Sequence, residues 1–185
     1  MGRKIVLLIL VICFSSFNTT KSDKQYITRQ GQVSFFSYTS VENIEAQNNQ
    51  VLSVLDTSEN KIAISMLMNG FLFKKSLMHM HFNESYIESD LYPKASFEGE
   101  LPDFEIAVGE QATRMIQGIL TIRNIKKEVT IKTVITRPEA QKYIFEGEFE
   151  VAIKDFDIKV PPLLQPNIAK TISIKSRFEY MPYEK

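Results

Sequence analysis

The feature that most constrains the fold is a two-residue hydrophobic repeat that continues through most of the chain. Its clearest run is the segment 143–153, in which Tyr, Phe, Gly, Phe, Val and Ile occupy every second position. Successive side chains of a strand point to opposite faces, so this run predicts a β-strand with one covered face and does not fit a helix. The same repeat recurs at 61–68, 94–101, 112–123, 129–135 and 168–180.

The first part of the chain shows the same repeat with more interruptions. Gly31 and the pair Asn48-Asn49 are residues that favour turns. We therefore predict short strands at 26–29, 32–39 and 51–55, with turns at Gly31 and at the asparagine pair.

One helix is predicted near 72–86. Phe73, Leu77 and Met80 recur at intervals of four and three residues, which is the spacing of one helix face. Other apolar residues lie on nearly the opposite side, so this helix needs cover on both sides. Tyr92-Pro93 follows and prevents the helix from continuing.

Strands with one apolar face must bury that face in a sandwich or in a closed barrel. The eight to ten predicted segments are long, which favours an all-β, antiparallel, eight-stranded barrel. The interior of such a barrel is either filled by side chains or holds one small ligand. Small residues on the presumed inward face either leave space inside or accommodate bends and large neighbours, and both interpretations stay open. They are Ala46, Ala95, Gly99, Gly118, Thr133, Gly147 and Ser176.

Residues 1–22 are predicted to be a secretory signal peptide, which leaves a single domain at 23–185. Arg3 and Lys4 form a basic start, residues 5–14 are apolar, and small serines follow. Ten apolar residues are too few to span a bilayer. The expected location is the periplasm or the exterior.

Cys13, the one cysteine of the chain, lies inside this predicted signal. Leu10, Val11 and Ile12 before it are bulky, whereas a lipoprotein signal needs small residues there, so lipidation of Cys13 is disfavoured. After cleavage, no thiol is left for a disulfide, a nucleophile or a metal site.

The charge balance argues against nucleic acid as a partner. Cleavage after Ser22 removes three of the 22 basic residues and none of the 22 acidic ones, which leaves a slightly acidic chain without a dense basic run. Binding to phosphates or to an anionic membrane surface requires clustered positive charge.

His79 and His81, flanked by methionines, are the candidate metal ligands. Side chains two apart on a helix point about 200° apart, so these imidazoles cannot share one ion. Asp155 and Asp157 are expected to form turns or to bind backbone groups. No Gly-x-Ser-x-Gly or His-Glu-x-x-His motif is present. We predict neither a metal site nor catalysis.

The chain resembles the YceI-like family, especially exported members from Bacteroidetes-type bacteria, over nearly all of residues 26–181. The segments that carry the resemblance are GQVSF at 31–35, SLMHMHFNE at 76–84, YPKASF at 92–97, GILTI at 118–122 and DFDIKVP at 155–161.

One turn departs from the family pattern. The family usually has His-Gly after the GILTI segment, whereas this chain has Arg123-Asn124. Asparagine tolerates positive φ, so the turn is expected to survive.

The resemblance implies an exported, lipocalin-like barrel whose apolar tunnel holds a long isoprenoid or a similar lipid, without catalysis or a cofactor. Such a ligand offers only CH groups, so its pocket needs apolar side chains. The candidate lining residues, each of which is equally well explained as ordinary core, are Phe35, Ile64, Met66, Phe73, Leu77, Phe97, Leu120, Ile122, Phe149 and Ile174. Residue type alone suggests contacts to a polar head group from Tyr38, Tyr86, Tyr92 and His81.

Two other classes stay open. One is an envelope interaction protein with a filled barrel, acting through an exposed patch or a homodimer face. The other is a small hydrolase, which the missing nucleophile motif disfavours.

Overall fold

The computed structural model describes residues 25–39, 42–102, 104–162 and 168–184. The predicted signal peptide and Cys13 lie outside these ranges. The elements in chain order are β1 (Gln25–Ser37), β2 (Ile44–Asp56), β3 (Lys61–Leu67), a 3₁₀ turn (Met68–Gly70), β4 (Leu72–Phe73), α1 (Ser76–His81), a π-turn (Phe82–Tyr86), β5 (Lys94–Glu100), β6 (Gln111–Ile122), β7 (Ile125–Glu139), β8 (Lys142–Ala152), a 3₁₀ turn (Ile153–Phe156) and β9 (Thr171–Pro182).

Eight of these strands close into an antiparallel barrel. The order around the barrel is β1-β2-β3-β5-β6-β7-β8-β9, and β9 pairs with β1 again. Phe35 of β1 thus has Ala46 of β2 on one side and Ile174 of β9 on the other. The short β4 is a ninth strand beside β2. The predicted all-β, eight-stranded barrel with one inserted helix is confirmed.

Gly31 lies inside β1, so the turn predicted there is wrong. The register between β1 and β2 shifts on either side of Gly31, which is therefore part of a β-bulge. A side chain at this position would place Cβ 2.4 Å from the ring of Phe178. The chain needs glycine here for close packing against that ring.

The turn predicted at Asn48 is also wrong, because β2 runs through it without a break. The buried Asn48 side chain donates from Nδ2 to the Leu67 carbonyl at 2.9 Å, and its Oδ1 accepts from the Gln50 N–H at 2.9 Å. These bonds satisfy the polar amide beside the bulge of β1.

The predicted helix exists, but it begins at Ser76 and not near residue 72. Leu72 and Phe73 are extended because they pair with Gln47 and Ala46 of β2. The helical segment then continues from α1 through the π-turn to Tyr86. Residues 76–87 are called the roof segment below.

Aromatic side chains fill one end of the barrel. Ring centroids lie 4.9 Å apart for Tyr26 and Tyr143, 5.1 Å for Phe104 and Tyr143, and 5.0 Å for Phe145 and Tyr180. Such contacts add to the burial energy of each ring. The cluster, called the aromatic plug below, comprises Tyr26, Phe104, Tyr143, Phe145, Phe178 and Tyr180.

A buried hydrogen-bond chain anchors the plug to the wall. Ser53 donates its one hydroxyl hydrogen to the Ala63 carbonyl at 3.0 Å. The Tyr180 hydroxyl, 2.6 Å from the Ser53 Oγ, must therefore donate to it. Burial raises the pKa of the fully buried Tyr180 hydroxyl far above its ordinary value, and the Ser53 contact opposes this only in part.

Two of the predicted small inward residues make room for a large neighbour. A Cβ at Gly99 would lie 2.6 Å from the ring of Phe97. A Cβ at Gly118 would lie equally close to that ring and 2.3 Å from the Glu98 carbonyl oxygen. At these two positions, the small residue accommodates a large neighbour and does not leave space inside the barrel.

Gly118→Ala is expected to lower the free energy of unfolding by about 1–3 kcal/mol, because the added methyl group forces β5 and β6 apart. Urea denaturation measures the change. The control Gln117→Ala, at an exposed neighbouring position, should change stability by less than about 0.5 kcal/mol. Equal stability of the Gly118→Ala variant and the parent protein would contradict this close approach.

Stability should fall as pH rises above about 10, the ordinary pKa of tyrosine. The pKa of Tyr180 is higher in the folded state than in the unfolded chain, so its contribution is complete below pH 10 and is lost as pH rises towards the folded value. Tyr180→Phe should weaken this alkaline loss, because Ser53 can still donate to Ala63 and no charge can form. Urea midpoints at pH 8 and pH 11 test this, with Tyr38→Phe, at a 73% exposed tyrosine, as the control. Identical pH dependence in the two variants would disprove it.

Candidate functional site

The end of the barrel opposite the plug contains a partly enclosed cavity of about 320 Å³. Inward-facing side chains of all nine strands form its walls, and Phe178, a member of the plug, also lines it. The roof segment and residues 153–158 cover it. Since the β-ladders satisfy the backbone groups of the wall, the cavity surface is almost entirely apolar.

Most of the predicted lining residues meet at this cavity. Nine of the ten contribute to its wall, namely Phe35, Ile64, Met66, Phe73, Phe97, Leu120, Ile122, Phe149 and Ile174. Ala95 and Ser176, two of the predicted small inward residues, also line it. Their short side chains leave space there, in contrast to Gly99 and Gly118.

Leu77 lies outside the cavity and is 57% exposed. Periodicity identified two apolar helix faces, and we expected the face with Leu77 to point inward. The position of the helix over the barrel turns the side that carries Met78 and Phe82 towards the cavity, and Leu77 and Met80 face solvent.

The four predicted head-group residues separate into two pairs. His81 and Tyr86 of the roof segment line the cavity. Tyr38 is 73% exposed, and Tyr92 lies beneath the Arg123 guanidinium, whose central carbon is 5.2 Å from the ring centroid. Neither Tyr38 nor Tyr92 is part of the cavity wall.

Sequence reasoning missed the aromatic cluster under the roof. Phe82 stacks on Phe35 with a centroid distance of 5.5 Å and lies 5.1 Å from Phe73. Phe71, which is buried, lies 5.4 Å from Phe35. The position of Phe82 on the second apolar helix face was the signal that could have identified it.

The cover from residues 153–158 was also missed. Ile153, Phe156 and Ile158 line the cavity, whereas we expected this segment to be only a connection. Asp157 does serve a turn there, with a φ of 51° directly after the 3₁₀ turn. The spacing of Ile153, Phe156 and Ile158, at intervals of three and two residues, was the sequence signal that could have indicated a covering segment.

Arg123 joins the two parts of the cover. Its Nη2 forms an ion pair with the Glu88 carboxylate just after the roof segment, and its Nη1 donates to the Asp157 carbonyl. Arg123 and Asn124 have φ values of 51° and 61°, so the expected turn is present. Positive φ is unfavourable for arginine, and the contacts of its guanidinium offset that cost.

The histidines do not assemble a metal site. The His79 ring packs against Phe73 at 5.8 Å, on a different side of the helix from His81. In the described ranges, no three His, Cys, Asp or Glu side chains are placed to hold one ion. Among the same residues, no helix is both long and apolar enough to cross a bilayer.

Comparison with known proteins identifies a family and a shared fold. The YceI-like domain profile matches residues 19–180, and no curated protein matches the chain. A polyisoprenoid binding domain from Saccharophagus degradans, implicated in plant cell wall breakdown, superimposes with a TM-score of 0.76 at 11% identity, over 86% of this chain and 99% of that one.

Two further solved structures are similar. Burkholderia cenocepacia BcnA has a TM-score of 0.65 at 16% identity, over 81% of this chain and 95% of that one. The Campylobacter jejuni YceI protein has a TM-score of 0.57 at 12% identity, over 99% and 92%. At these identities, the similarities establish the fold.

Arg123→Gln is expected to cost about 1–3 kcal/mol of stability, because it removes charge-assisted hydrogen bonds from a side chain that is only 13% exposed. It should also speed the release of a bound apolar fluorophore, because the contacts of Arg123 with Glu88 and with the Asp157 carbonyl, which connect the two parts of the cover, are lost. Thermal melting and stopped-flow dilution measure the two effects.

The control is Arg177→Gln, which breaks ion pairs with Glu146 and Glu179 on exposed side chains. Such pairs contribute about 0–1 kcal/mol. If both variants released the fluorophore at the same rate, Arg123 would have no role in holding the cover.

Proposed function

The chain belongs to the YceI-like domain family, and we propose that it binds an isoprenoid-type or other long-chain apolar lipid inside the barrel. The observation that carries this proposal is the apolar cavity at the end opposite the plug. One relative of the same fold is named a polyisoprenoid binding domain, which supports an isoprenoid chain as the ligand.

The chemistry of the wall suits such a ligand. Each buried CH₂ group contributes about 0.8 kcal/mol, so a chain of several isoprene units gains enough from burial to bind without a strong polar contact. Met66, Met68 and Met78 line the cavity, and their flexible side chains adapt to a ligand with many conformers.

Binding, rather than catalysis, is the function that this site supports best. Its polar groups are few, and no nucleophile with a positioned base lies among the described wall residues. The filled barrel without a ligand is less consistent with a cavity of this size, which is at the lower end of the range for ligand pockets.

We further propose that the protein carries or stores its lipid in the aqueous space outside the inner membrane. The predicted signal peptide at 1–22 supports export. A long apolar chain has almost no solubility in water, so shelter from solvent is what a carrier must supply.

Phe149→Trp is expected to lower the affinity for an apolar fluorophore at least severalfold with little loss of stability, because the larger ring occupies part of the cavity. Phe149 suits this test because it is half-buried on the wall, whereas the ring of Phe97 has no space beside Gly99 and Gly118. Fluorescence titration of lipid-free protein measures affinity, and native mass spectrometry after extraction with organic solvent identifies the bound lipid.

The matched control is Glu150→Trp, which adds an indole ring on the outer face of the same strand. It should leave affinity unchanged. Equal affinities of the two tryptophan variants, or repeated recovery of the protein without any lipid, would contradict binding inside the barrel.

A further inference from the structure

We propose that the cavity selects a lipid with an uncharged, oxygen-bearing head group, and that His81 and Tyr86 bind that oxygen. This inference rests on the proposed function and adds the chemical class of the head group. It predicts preference for an alcohol, ester or ketone over a phosphate or diphosphate of the same chain.

The first observation is that the π-turn brings His81 and Tyr86 to one wall. In a regular α-helix with 3.6 residues per turn, side chains five positions apart point about 140° apart. The π-turn closes with a bond from the Ile87 N–H to the Phe82 carbonyl, five residues back, at 2.9 Å. This wider turn aligns positions five apart, and both side chains line the cavity.

The second observation is that both groups are available to a ligand. Within the described residues, neither the His81 ring nor the Tyr86 hydroxyl has a hydrogen-bond partner. Burial raises the pKa of the Tyr86 hydroxyl, so it stays protonated at neutral pH and can donate. The imidazole of His81 carries at least one N–H donor in either charge state. Two free donors beside an apolar chain match an oxygen acceptor at its end.

The third observation concerns charge. The described wall contains no Lys or Arg, and its one carboxylate is Glu42 at the rim. Phosphate esters are bound by arginine and lysine, so this wall lacks the groups that an anionic head requires.

Two cations beside the cover of the cavity are already engaged in ion pairs. Lys75 forms an ion pair with Glu42, and Arg123 is held by Glu88 and the Asp157 carbonyl. A phosphate that recruited either cation would have to break that contact, and it would then lie near an unpaired carboxylate. A neutral head group causes neither loss.

Three ligands with the same fifteen-carbon chain test the proposal: farnesene without a head group, farnesol with a neutral oxygen, and farnesyl diphosphate with an anionic head. Each displaces an apolar fluorophore from lipid-free protein. We expect farnesol to bind about fivefold or more tightly than farnesene, as one to two neutral hydrogen bonds provide. Farnesyl diphosphate should bind at least tenfold more weakly than farnesol.

Tyr86→Phe and His81→Phe should each lower the affinity for farnesol relative to that for farnesene about threefold to tenfold. The controls are Tyr38→Phe, at a tyrosine outside the cavity, and His79→Phe, on the same helix but not on the cavity wall. Both controls should bind all three ligands like the parent protein. Melting temperatures verify that each variant is folded.

The outcomes separate this inference from the proposed function. Equal binding of farnesene and farnesol, preference for the diphosphate, or an equal loss for farnesene and farnesol in the Tyr86 and His81 variants would overturn the head-group inference alone. Failure of all three ligands to bind the parent protein would overturn the proposed function and this inference with it.

Discussion

The closure of the sheet between β1 and β9 is the constraint on which the rest of the structure depends. Phe35 and its neighbours on β1 pair with β2 on one side and with β9 on the other. Among the described residues, this leaves none of the eight barrel strands as an edge strand, and the ladders satisfy the backbone polar groups of the wall. The closed wall surrounds an interior that is both apolar and partly hollow, whereas an open sheet must cover its apolar face with another layer.

The two ends of the interior then have different roles. At one end, the aromatic plug and the Tyr180–Ser53 contact supply close packing and buried hydrogen bonding. At the other end, the cavity forgoes packing, which costs stability in proportion to the empty volume. The dense end stabilises a fold that carries a cavity at its other end. The roof segment, held by Arg123, limits how much of that cavity water reaches.

The sequence-based prediction succeeded where the physical rule is local and periodic. Two-residue alternation identifies the inward face of a strand, and eight of the ten predicted lining residues lie on such predicted strands and on the cavity wall. Phe73, which was assigned to the helix, is the ninth on the wall. The prediction failed where two elements must be known together. Gly31 and Asn48 have the composition of turns, yet both lie within paired strands. Leu77 faces solvent because the position of the helix over the barrel decides which apolar side faces inward.

By itself, the sequence determined the class of structure: alternation specifies strands with one apolar face, and strands of this number and length favour closure into a barrel over a sandwich. The tertiary structure alone decided which part of the interior is full. Gly99 and Gly118 accommodate the ring of Phe97, whereas Ala95 and Ser176 border empty space, although all four are small inward residues. The physical reason is that a void forms only where no large side chain from another strand fills the space. The distances between side chains of different strands are set by the tertiary structure and cannot be obtained from the sequence.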